Sequence, residues 1–247
     1  MNYRYNTTRA GAAVLSCATL AVLFAASIPA VHAAQAAPPA KAAAEVVKPT
    51  ALWDFGTVKD GVIANSVPDG SPLKFFTWNN PPQPTPLPGV GVRVAHGSSV
   101  EGPIKDMPGL SDGKPWSLDI DFTIEDKPDG YCGGMFQSMD YLKAGLRVVL
   151  GNNMKLTTEI YHADGKGTYL SSTSPLEIGK PYKARVTFDA TKATLYLNGE
   201  LDATLDTAPP APFSGACQIG VAGGNKYNFN GIINRVAIYP GTKAPAK

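Results

Sequence analysis

The sequence predicts an all-β sandwich of short antiparallel strands. Three observations carry that reading. Residues 116–124, WSLDIDFTI, alternate strictly, with Trp116, Leu118, Ile120, Phe122 and Ile124 on one face. From Tyr182 to Pro240 the chain repeats such segments (YKARVTF, ATLYLNGELDATL, CQIGVAGG, FNGIINRVAIYP), with Gly, Asn or Pro at each break. No segment keeps a helical period, and regularly spaced strands with turn signals between them build two packed sheets.

In chain order, Ala51–Phe55 (ALWDF) is the first strand, and 61–65 and 73–78 are short edge strands. Residues 79–91, NNPPQPTPLPGVG, read as a stiff loop, because proline donates no ladder hydrogen bond. Strands follow at 91–95, 116–124, 133–138 and 146–151. Residues 155–162 then pair with 167–172 through Asp164-Gly165. Asn198-Gly199 supplies the positive φ angles of a type I′ hairpin turn.

The ends read differently. Arg4 and Arg9 precede an apolar run, and Val31-His32-Ala33 offers small residues for cleavage, so residues 1–33 are expected to be a signal peptide. A membrane anchor fits less well, because Pro29 cuts the run and no basic cluster follows. A lipoprotein signal at Cys17 fits poorly, because the apolar stretch continues past it. Residues 34–49 are an Ala/Pro-rich linker, 50–240 the domain and 241–247 a flexible tail. The expected location is secreted or periplasmic, with no membrane span after signal cleavage.

Cleavage would remove two of the 22 basic residues and none of the 20 acidic ones, leaving a formally neutral chain. Neutrality gives no electrostatic case for nucleic acid. Cys132 and Cys217 would remain. In an exported chain they are a candidate disulfide that would stabilise by roughly 4 kcal/mol; the alternative is two buried thiols.

The segments ALWDFG, GVRVAHGSSVEG, WSLDIDFTI, YKARVTFDATKATLYLNGEL, CQIG and FNGIINRVAIYPG together resemble the concanavalin A-like lectin/glucanase superfamily, in its laminin-G-like branch. The resemblance spans roughly residues 50–240. Asn234 and Arg235 stand where the family usually has an acidic pair. It implies a two-sheet antiparallel jelly-roll sandwich with about six or seven strands per sheet. It also implies sugar binding, surface adhesion or a glycan-directed enzyme.

Retaining glucanases of the superfamily carry two catalytic acids on one strand. Here the nearest approach is Asp119, Asp121 and Glu125. The two aspartates share a face, but neither is Glu, and Glu125 lies beyond the array. His96 and His162 read as structural or surface residues. Sugar binding needs flat rings beside amides and carboxylates. Trp78, Asn79, Asn80, Tyr131, Tyr141, Asn225, Tyr227 and Asn228 supply that mixture, with Tyr161 a further candidate and Phe75 and Phe229 expected in the core. No cofactor is expected. Many laminin-G-like domains hold one calcium ion, and Asp54, Asp140, Asn152 and Asn225 are the residues that could do so here.

The expected function is an exported, non-catalytic module that recognises carbohydrate, or a cell-surface glycan or protein, through rim loops. The alternatives are a glycoside hydrolase or polysaccharide lyase, and a structural envelope protein.

Overall fold

The computed structural model describes residues 47–77, 82–103, 110, 112, 114–140, 144–213, 215–223 and 226–242. They belong to one unit, Glu45–Lys247. The leader, most of the linker, Trp78, Asn79, Asn80, Tyr141 and Asn225 lie outside the described residues, as does the side chain of Asp140.

Among the described residues eighteen strands, numbered β1 to β18 in chain order, form two sheets. Sheet A contains β1 (Ala51–Asp54), β4 (Thr85–Leu87), β5 (Gly91–Val94), β7 (Trp116–Ile124), β12 (Pro181–Phe188), β13 (Lys192–Leu197), β14 (Glu200–Asp206) and β18 (Gly231–Pro240). Its order is β14-β13-β12-β7-β18-β5-β4, and β1 also pairs with β18. Sheet B contains β2 (Val62–Ile63), β3 (Leu73–Thr77), β6 (Ser98–Pro103), β8 (Cys132–Asp140), β9 (Ala144–Gly151), β10 (Leu156–Tyr161), β11 (Gly167–Ser171) and β15 (Ala216–Ile219), in the order β11-β10-β9-β8-β15-β6-β3-β2. A short ribbon of β16 (Val221–Ala222) and β17 (Tyr227–Asn228) joins sheet B at β8. Among the described residues the helical content is one 3-10 turn, Phe55–Thr57, capped where Asp54 Oδ1 accepts from the Gly56 N–H at 2.9 Å.

The alternation in β7 does what it predicts: all five of its odd-position apolar residues are buried. They pack with Phe188, Phe136, Phe229 and Leu195 in the core between the sheets. Phe75 packs against that core from a partly buried position. The final strand lies close beneath its neighbour: a Cβ on Gly231 would run into the Thr123 carbonyl, so only glycine fits.

Several expectations need correction. Residues 79–91 are not all loop, because Thr85–Leu87 is a strand. It is the last strand of sheet A, so Pro86 interrupts no ladder on its outer side. Ser98–Pro103 is a strand that the turn-like HGSS obscured. The sheets hold eight and ten strands because the short edge strands and the ribbon add to the expected set.

Cys132 and Cys217 are not bonded to each other. Gln218 pairs with Gln137, which puts Cys217 level with Ser138, about six residues or 20 Å along β8 from Cys132. A disulfide needs Cα atoms within about 7 Å. The two thiols also face opposite ways. Cys217 points into the main core, while Cys132 joins Val149 and Ala222 on the outer face of sheet B.

Candidate functional site

The outer face of each sheet has a concavity, and each is lined by some of the described residues that the sequence nominates.

On sheet A, the outward residues of β7, β12 and β18 form a charged basin of about 830 Å³. Its lining includes Asp119, Asp121, Lys183, Arg185, Asn234 and Arg235. A bulge in β18 between Ile233 and Arg235 helps set Arg235 opposite Asp121. The buried Asp119 is clamped: Arg185 donates from Nε to Oδ1 at 2.5 Å and from Nη2 to Oδ2 at 2.6 Å. Arg235 Nη1 adds a longer contact at 3.5 Å, while its Nη2 donates to the Tyr239 hydroxyl at 2.7 Å. Bonding to Asp119 in turn holds the Arg185 guanidinium more firmly charged. Asp121 is half-buried. Burial pushes its carboxyl above the usual aspartate range, and Arg235 and Lys183 only partly oppose that. Glu125 lies outside the basin, in a two-pronged pair with Arg93 at 2.7 Å for both bonds. Both oxygens of Asp119 are therefore engaged by arginine. The three acids do not form the free carboxylate pair that glycoside hydrolysis requires.

On sheet B, the outward residues of β9, β10 and β11 stand in two cross-strand rows. One is Val149, Thr157 and Ser171; the other is Arg147, Glu159 and Tyr169. All of these but Arg147 help line a pocket of about 290 Å³, with Tyr131, Asn152 and Asn153 among its other walls. Tyr131 is 70% exposed and Tyr169 56% exposed. Thr157 and Ser171 share a hydroxyl–hydroxyl bond of 2.9 Å. Asn153 Oδ1 accepts from the Lys155 N–H at 3.1 Å, which fixes the turn carrying both asparagines.

Glu159 is also the centre of a buried polar triad. Glu159 Oε2 accepts from Arg147 Nε at 2.6 Å and from the Tyr161 hydroxyl at 3.0 Å. All three residues are nearly inaccessible. Burial, then bonding to Tyr169 and the nearby Glu159, pushes the Tyr161 phenol up. Burial likewise raises the Cys132 thiol to about 11, so it stays protonated and unreactive at neutral pH.

Of the nominated binding residues, Tyr131 lines this pocket. Tyr227 is half-buried and packs beside Cys132, Val149 and Ala222 as a support. Asn228 sits next to it in the ribbon, with a buried side-chain oxygen that has no hydrogen-bond partner among the described residues. Gly133 and Gly134 let the ribbon lie across β8, since a Cβ on either would strike Asn228 or Val221 backbone. Tyr161 is buried in the triad and is not displayed.

Of the calcium candidates, the two whose side chains are described, Asp54 and Asn152, lie at different places. Asp54 caps the 3-10 turn beside sheet A, and Asn152 belongs to the sheet B pocket. Among the described residues no three His, Cys, Asp or Glu side chains cluster as metal ligands. His162 is tied to the Pro209 carbonyl and the Thr168 hydroxyl, both at 3.0 Å. His96 lies 3.3 Å from Asp129, and Ser98 bonds the Ala95 backbone instead of the imidazole. Sequence reasoning missed Glu159 and Tyr169, although both sit at outward positions of alternating segments.

Residues 128–247 match the model of a laminin-G-like family of the concanavalin A-like lectin/glucanases superfamily. No curated protein matches the chain. Among solved structures, the fold resembles Trypanosoma rangeli sialidase in complex with sialic acid, with a TM-score of 0.56 at 14% identity over 78% of this chain and 31% of that one. It also resembles the botulinum neurotoxin serotype D binding domain, with a TM-score of 0.59 at 11% identity over 79% and 48%. The binding domain of botulinum neurotoxin DC in complex with SialylT gives 0.58 at 12% identity over 78% and 47%. The chain thus spans 31% to 48% of these neighbours' length, and at such identities the likeness is one of β-sandwich fold alone.

Proposed function

We propose that this protein is an exported, non-catalytic carbohydrate-binding module that holds a saccharide in the sheet B pocket. One observation carries the reading. Two exposed tyrosine rings stand over a floor of hydroxyl, amide and carboxylate groups, which matches the alternating apolar and polar character of a sugar ring. The fold neighbours support it in general terms, since one was solved with sialic acid and another with SialylT. Export rests on the sequence of residues 1–33, whose basic start, apolar run and small-residue site read as a signal peptide.

A glycan array probed with and without chelator tests the reading. Binding is expected to one saccharide class, unchanged by chelator, and weakened in Tyr131→Ala and Tyr169→Ala. Incubation with the bound polysaccharide should release no new reducing ends and no unsaturated products; turnover would overturn the non-catalytic assignment.

A further inference from the structure

We propose that Glu159 is the specificity-determining residue of the sheet B pocket, and that it selects neutral, hydroxyl-bearing saccharides against acidic ones. This rests on the saccharide reading above and goes beyond it in naming the class. It also runs against the sialic acid ligand of one fold neighbour.

The argument is geometric. Glu159 is 4% exposed, yet its side chain lines the pocket. Its oxygens are used unequally. Oε2 is fixed by Arg147 Nε and the Tyr161 hydroxyl. Oε1 receives no hydrogen bond from the described residues, and it is not among the buried atoms left without a partner, so it opens on the pocket. A carboxylate clamped on one side and open on the other is a preorganised acceptor. It calls for a ligand that donates, and a sugar hydroxyl does.

A uronate or sialate carboxylate does not donate. It would meet Glu159 with like charge and would leave Oε1 without a partner. Among the described residues the pocket lining offers no Lys or Arg to offset this. Arg147 does not serve, because it is absent from the lining and its Nη1 is buried out of reach. The remaining lining groups, Asn152, Asn153, Thr157 and Ser171, are neutral and suit further hydroxyls. Tyr131 and Tyr169 supply flat faces for the ring.

The test titrates the purified protein with neutral hexasaccharides of glucose, galactose and mannose. Each is set beside its counterpart oxidised at C6 to the uronate, and binding is read by calorimetry and tyrosine fluorescence. The expected result is that at least one neutral chain binds and its uronate form binds at least about ten-fold more weakly. Raising the salt to about 0.5 M should narrow that gap, because screening weakens the repulsion. The paired variant Arg147→Gln/Glu159→Gln removes both charges together and should bring the two ligands within about three-fold. The comparison on the unaltered protein stands without that variant, should it fold poorly. Equal or tighter binding of a uronate would overturn the role of Glu159 while leaving the saccharide reading intact. Binding of neither form of any chain would overturn both.

Discussion

The outer faces of the two sheets are built from the same kind of strand but use charge in opposite ways. On sheet A, Asp119, Arg185 and Arg235 satisfy one another and hold neighbouring strands together. On sheet B, the Arg147–Glu159 pair is just as close, but one carboxylate oxygen is left open to a pocket flanked by exposed tyrosines. The lesson is that size does not identify the site. The sheet A basin is the larger cavity, yet its best acceptor is already occupied.

Each face can be challenged by mutation. The largest effect is expected from Asp119→Ala, which strands the mostly buried Arg185 without its bidentate partner. It should lose about 3 kcal/mol of stability in denaturant unfolding. Saccharide affinity of the folded fraction should be unchanged; a parallel loss of binding would put function on sheet A. Next, Tyr169→Ala or Tyr131→Ala should weaken saccharide binding by about 1–2 kcal/mol, or roughly five- to thirty-fold, while the melting temperature moves little. Third, Asn198→Ala should cost about 1 kcal/mol. Asn198 sits at φ 52° in the β13–β14 turn, and its side chain accepts from the Lys183 N–H at 2.8 Å.

A smaller effect follows from Asp121. Its folded pKa is raised, so folding takes up a proton between the unfolded and folded values, and stability falls as pH rises through that window. Asp121→Asn should therefore stabilise at pH 7 by less than about 1 kcal/mol, solvent screening limiting the gain. The benefit should vanish near about pH 3, where the carboxyl is protonated in both states. Smallest of all, reductant should leave the melting temperature unchanged, because no bond joins Cys132 to Cys217.

Much of the scaffold was legible in the sequence, for local reasons. The alternation in WSLDIDFTI sorts β7 into inner and outer residues, and Asn198-Gly199 specifies its turn through backbone angles alone. The site was less legible because it is made by pairing. Glu159 meets Arg147 and Tyr169 only through the register of three strands, and nothing in LTTEIY announces that its outward face is covered. The cysteines failed for the same reason. A count of two says nothing about which side of a sheet each thiol occupies, and the bulge in β8 between Gly134 and Phe136 further uncouples sequence position from facing. Tyr131 was named simply as a ring able to stack on a sugar, and it is one that the fold leaves exposed.

The pairing of β1 with β18 has a mechanical consequence. Ala51 lies opposite Ile238 and Asp54 opposite Arg235, so the folded domain begins and finishes at the same end of one antiparallel ladder. A force drawing those two ends apart loads a single hydrogen-bonded rung at a time. Under tension the domain should open like a zipper from Thr50 inward, at lower force than a domain whose terminal strands are sheared along their full length.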